Sequence, residues 1–185
     1  MTTNVVFFIL ILVALALFIV YNFFAIKQFG IPESLSNTYY LYEAKHKGYG
    51  WFFTAYMWVT ALLLLPGWIV VSENMGVWMS YFTFLAAFTC FGIAFVGTAP
   101  KFHEDAEGKV HVISAIITSV SAMLLDFIVC WHIWYVPLIG CMIPVVAATW
   151  TKTWKTSKTY WLEMMAFVGS FVTIITENII QLCNA

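Results

Sequence analysis

The sequence predicts an all-α polytopic membrane protein: six transmembrane helices in a compact bundle, with a short interfacial helix after the first span. Three observations carry this. The chain is 63% apolar and 9% charged, whereas a soluble domain is about 45–50% apolar and about 25% charged. Six apolar runs approach the ~20 residues a helix needs to cross a bilayer. All eight basic side chains are lysines, and they cluster in three alternate links: Lys27, Lys45 and Lys47; Lys101 and Lys109; Lys152, Lys155 and Lys158. Those are the first, third and fifth loops, so every lysine lies on one side, and the positive-inside rule makes that side the cytoplasm.

The first span covers about residues 4–26. It has no basic n-region and exceeds the apolar core of a signal peptide, so it reads as retained, with a translocated N-terminus. The first loop offers Pro32 and then Ser34 or Ser36 as a helix N-cap. Leu35, Tyr39, Tyr42 and His46 recur at helical spacing. They predict a short amphipathic helix with its tyrosines at headgroup depth, ended by Gly48-Tyr49-Gly50.

The second and third spans cover about 51–71 and about 77–98, the fourth and fifth about 110–132 and about 134–150, and the sixth about 159–182. In lipid the backbone must bond within each element, so the spans are helices. Unbroken runs such as Val5–Val20 exclude the alternation of a barrel. The second and fourth links are very short and force antiparallel neighbours. Pro66-Gly67 in the second span, and Pro137, Gly140 and Pro144 in the fifth, mark kinks. Residues 1–185 therefore form one membrane domain with both termini outside. The lysine bias predicts an integral protein of a bacterial inner (plasma) membrane.

Ionisable groups inside a membrane are costly and are the best functional leads. Asp126 in the fourth span and Glu163 and Glu177 in the sixth have no lysine or arginine at their depth. Asp126 lies some 6–9 Å from the outer end of its span. Glu177 lies at a comparable depth, with His132, Asn178 and Glu73 on the same side. Asp126, His132, Glu177 and Asn178 are the candidate lining of an outward-opening polar pocket between spans 4, 5 and 6. The competing reading leaves Glu177 and Asn178 among the headgroups.

A second cluster belongs to the cytoplasmic face: Ser34, Ser36, Tyr39, His103 and His111. His103, Glu104, Asp105, Glu107 and His111 fall close together but match no standard zinc spacing. A polar contact from His111 to Ser34, Ser36 or Tyr39 is the favoured reading, and no metal is assigned. No cofactor is called for either. His111 and His132 sit about 30 Å apart on one helix and cannot share a haem iron, and no lysine lies mid-span to hold retinal. Serines Ser114, Ser119 and Ser121 suit close helix packing and sit in no nucleophile-elbow motif.

Cys90, Cys130, Cys141 and Cys183 have no metal-type spacing and read as small buried hydrophobes. The topology allows a bridge between Cys130 and Cys183 near the outer face.

Pro32, Ser34 and Ser36 after the first span, with His111 opening the fourth and Ala115 following, carry a resemblance over the six-span layout. The chain resembles small six-span Frag/DRAM-like proteins and uncharacterised integral membrane proteins of bacteria and their phages. The resemblance implies a compact helical bundle that regulates a partner or organises the membrane.

The leading expectation is a non-enzymatic membrane protein that binds a lipid or small ligand, or regulates a membrane partner. A small proton-coupled transporter using Asp126 and Glu177 is the alternative. An intramembrane lipid-modifying enzyme with a histidine–carboxylate site is the third. Expected partners are membrane lipids, a lipid or small-molecule ligand, and homo- or hetero-oligomer neighbours. Dispersed lysines and the absence of phosphate-binding motifs give no basis for nucleic-acid binding.

Overall fold

Each of the six apolar runs is helical in the computed structural model, which describes residues 2–184. The helices are α1 (Thr2–Phe29), α2 (Thr38–Lys45), α3 (Trp51–Asn74), α4 (Val77–Ser80), α5 (Phe84–Thr98), α6 (Asp105–Leu124), α7 (Tyr135–Trp150) and α8 (Lys158–Cys183). No strand occurs among the described residues. Four helical segments, Asn4–Phe29, Trp51–Asn74, Asp105–Val129 and Lys158–Cys183, are long and apolar enough to cross a membrane. Helices α5 and α7 are apolar but shorter, at 15 and 16 residues.

The third run departs from the expected continuous 77–98 span. Gly76 turns the chain at φ +105°, α4 ends at Ser80, and Thr83 Oγ1 donates to the Ser80 carbonyl at 2.7 Å before α5 begins. A local hydroxyl–backbone bond of this kind competes with the helical ladder.

The sixth run is continuous, but the fourth changes pitch at its end. Residues Leu125–Val129 form a π turn around Asp126, with the Cys130 amide reaching back to the Leu125 carbonyl at 3.3 Å. A three-residue 3-10 turn, Trp131–Ile133, then leads into α7.

Helix α2 exists, but neither Ser34 nor Ser36 caps it; the N-cap position is Asn37. Ser34 Oγ accepts the Asn37 amide at 3.0 Å, closing a turn, while Ser36 is drawn away to His111. His46 lies just past the helix as its C-cap. Tyr42 is buried against Tyr21, Phe29 and Phe52. Tyr21 donates to Thr38 Oγ1 at 2.5 Å, since Thr38 spends its own proton on the Leu35 carbonyl. The first loop is thereby docked onto α1 and α3.

The core lies where α1, α3 and α8 meet, around Ile11, Phe18, Trp68, Phe171 and Ile174. Pro66 is accommodated inside α3. At Gly67 an added Cβ would lie 2.6 Å from Ile11 Cδ1, so the missing side chain lets α1 approach. Helix α5 packs between α3 and α6, and α7 packs along α8. The outside of the bundle is apolar: Phe84, Phe88, Phe91 and Phe95 form an exposed stripe on α5, and Leu138, Ile139, Met142, Ile143 and Val146 do so on α7. Polar groups including Thr60, Asp126, Thr173, Glu177 and Asn178 are buried instead. All four cysteines are free. The bridge entertained between Cys130 and Cys183 is absent, because Cys130 is fully buried and Cys183 is exposed at the end of α8.

Candidate functional site

Along α8, Glu163, Ser170 and Glu177 recur every seven residues, nearly two full turns, so they share one face at intervals of about 10 Å. That face looks into the bundle. At its inner end, Glu163 Oε2 accepts the Leu35 amide at 2.5 Å, tying the first loop to α8. The tie is reinforced by the Tyr160 amide, which donates to the Glu33 carbonyl at 2.9 Å.

Beyond Glu163 lies a cavity of about 80 Å³ between α3, α5, α6 and α8, room for several waters or a short stretch of hydrocarbon. Its walls are mainly apolar, with Trp68, Ile93, Phe167 and Phe171 prominent. Leu35 and Ser36 of the first loop close its inner end. Glu163 and Ile174 bound it along α8, a span of about 16 Å at 1.5 Å per residue. Ser119 belongs to the wall and is also exposed on α6. Thr89 and Thr118 contribute hydroxyls that have no hydrogen-bond partner. Thr118 owes its position to Gly92, where an added Cβ would lie 2.0 Å from the threonine Oγ1.

Ser170, also in the wall, donates to Asp126 Oδ2 at 2.9 Å. Asp126 is 5% exposed, and its other oxygen has no partner. Cys130, fully buried, lies near both Asp126 and Glu177.

At the outer end, His132 Nε2 lies 3.0 Å from Glu177 Oε2. Gln181 Nε2 donates to Glu177 Oε1 at 3.0 Å, and Asn74 donates to Gln181 Oε1 at 3.0 Å. These groups, with Asn4, Trp131 and Asn184, line an open pocket.

The four residues expected to share one outer pocket therefore separate. His132 and Glu177 meet in it. Asp126 lies behind it, bonded to Ser170. Asn178 is 2% exposed, and its amide donates to the Ile174 carbonyl of its own helix at 2.8 Å. The cavity between α3, α5, α6 and α8 is a second space, distinct from the expected outer pocket; α7 is absent from its walls because it packs along another side of α8.

On the inner face, His111 Nδ1 donates to the Ala99 carbonyl at 2.8 Å. With that proton fixed, Nε2 of the neutral ring accepts from Ser36 Oγ at 2.9 Å. His103 stands apart from this pair. Its amide donates to Tyr40 Oη at 3.1 Å, and its ring rests against Tyr40 and Phe102. Tyr39 packs where Gly50 leaves room, and Ser34 serves its turn. No cluster of three His, Cys, Asp or Glu side chains suited to a metal occurs among the described residues.

Sequence reasoning passed over Ser170, Thr89 and Thr118, and gave Glu163 no role. The seven-residue spacing on α8 was the available signal for Glu163 and Ser170. Neither a family model, nor a curated protein, nor a solved structure matches this chain.

Proposed function

We propose that this is a six-span integral membrane protein, without catalytic function of its own, that takes a lipid chain or a small hydrophobic ligand into the cavity between α3, α5, α6 and α8. The supporting observation is the cavity: mainly apolar and ending at the Glu163 carboxylate. An apolar pocket with a few convergent polar groups is the usual form of a small-molecule site. Glu163 suits a hydrogen-bond donor such as an amine or hydroxyl on the ligand.

Membrane embedding of all six runs is supported by the exposed phenylalanine stripe of α5 and the aliphatic face of α7. Contiguous apolar surface on that scale calls for a nonpolar surrounding. The 15 and 16 residues of α5 and α7 cover only about 22–24 Å. The adjoining turns and local bilayer thinning make up the remainder. In this topology the lysine-bearing loops face the cytoplasm and both termini lie outside, in a bacterial inner membrane. Helix α2 sits at the inner interface.

Lipid bound to the detergent-purified protein, identified by mass spectrometry, tests the ligand reading. A specific lipid retained at stoichiometric level supports it, and protein free of any retained lipid opposes it. A cysteine at Lys155 that an impermeant external thiol reagent labels readily would overturn the orientation.

A further inference from the structure

We propose that the face of α8 carrying Glu163, Ser170 and Glu177, together with Asp126, forms a proton path that runs from the outer pocket to half-buried Glu163 beneath the first loop. The path shares the cavity proposed above for the ligand, so a bound ligand closes it, and it rests on the membrane topology proposed above.

The geometry supplies a sequence of stations. The outer pocket brings water to His132 and Glu177. Thr173, three residues beyond Ser170 and four short of Glu177, is fully buried on the same face. Its hydroxyl donates to the Gly169 carbonyl and leaves its lone pairs free. Ser170 and Asp126 come next, with one carboxyl oxygen of Asp126 unpartnered in the interior. The cavity then extends from Ser170 to Glu163. Thr89 and Thr118 offer unpaired hydroxyls to water inside it. Consecutive stations on α8 lie about 5–10 Å apart, intervals that one to three waters bridge.

The groups facing these stations fit a proton and do not fit a calcium or magnesium ion. Around Asp126 they are Ser170 of α8, Cys130, and Cys141 of α7. Around Glu177 they are His132, Gln181 and Cys130. Around Glu163 they are the Leu35 amide, Tyr56 of α3 and Tyr160. No lysine neutralises any of them; Glu177 has His132 beside it, while Asp126 keeps one oxygen unpartnered. A calcium or magnesium ion needs about six oxygens in one shell, and no station gathers them. A lone carboxyl with one free oxygen can accept and release a proton. The π turn supports the assignment, since it displaces the regular ladder at Asp126, and π turns inside helices concentrate at functional sites.

The test is proton flux into vesicles of bacterial phospholipid containing the purified full chain and an internal pH dye, driven by a potassium diffusion potential with valinomycin. Flux well above protein-free vesicles is expected. Asp126→Asn should reduce it to the protein-free rate, Glu177→Gln and Ser170→Ala should slow it, and Asp126→Glu should restore part of it. Glu104→Gln, in the exposed loop before α6, should leave it unchanged. If Asp126→Asn fails to fold, Glu177→Gln at the pocket carries the same comparison. Inserted, correctly oriented protein with no flux above the protein-free rate would overturn the path alone, as would Asp126→Asn and Glu177→Gln flux equal to wild type. Protein that does not float with the vesicles would overturn the membrane reading as well.

Discussion

Ser170 Oγ on α8 donates to Asp126 Oδ2 in the π turn that ends α6, at 2.9 Å. This bond joins two helices that otherwise touch sparingly, and it stands in the cavity wall. Intramembrane hydrogen bonds are worth about 0.6–2 kcal/mol. Ser170→Ala and Asp126→Leu should therefore show a coupling of about 1 kcal/mol in a double-mutant cycle on unfolding in mixed micelles. Strictly additive effects would mean that the bond does not hold α6 to α8.

The first loop should behave as a latch over the inner end of the cavity. His111→Ala leaves Ser36 without its partner and should cost about 1 kcal/mol. Hydrogen exchange at residues 34–37 should accelerate, while His103→Ala, outside the pair, should not change it. Equal protection in wild type and His111→Ala would show that Ser36 and His111 do not fix the loop.

How much of this was legible in the sequence differs by feature. The runs behind α1, α3, α6 and α8 identify themselves, because an apolar segment of that length has few alternatives to a helix. The break after Ser80 was not legible. It coincides with three-residue backbone turns, such as the Thr83 amide on the Ser80 carbonyl, that hydropathy does not register. Asp126 stands out as a lone carboxylate in an apolar run, yet its partner Ser170 is 44 residues away, and nothing local pairs them. The cavity was not foreseen for the same reason. Its walls come from four helices, and chain order favours neighbours such as α7 over the contacts of α3 and α5. The Ser36–His111 pair was within reach, because the expected topology puts both residues at the same end of the bundle and few other polar groups compete there.

Helices α7 and α8 meet through glycines. A Cβ at Gly140 would lie 2.9 Å from Gly169 Cα, against backbone that cannot swing aside. Gly140→Val should push the helices apart and destabilise the protein by about 1–3 kcal/mol, the usual cost of overpacking. Thermal unfolding in detergent measures this, and an unchanged midpoint would contradict the close approach.

Glu43 gives the loop a pH dependence. Its carboxylate accepts the Gly48 amide at 2.8 Å and the Gly50 amide at 3.0 Å. Those bonds hold its pKa below the ordinary value of 4.5. A carboxyl lowered in the folded state stabilises fully above its unfolded pKa and loses that contribution as pH falls through the folded value. Protection of the Gly48 and Gly50 amides should therefore be constant from neutral pH down to about 4.5 and decline below it. Glu43→Gln should abolish the decline, and an identical pH profile in the variant would remove Glu43 as its cause.

Occupancy of the cavity is the claim on which the account turns. Ala122 and Ala166 face into it, and a larger side chain there fills the space a ligand would use. Native mass spectrometry of wild type beside Ala166→Phe, released from the same detergent, measures the difference. A defined lipid or small-molecule adduct is expected on the wild type, and its loss from a variant that keeps its fold. Bare wild-type protein, or an adduct equally retained by Ala166→Phe, would contradict it.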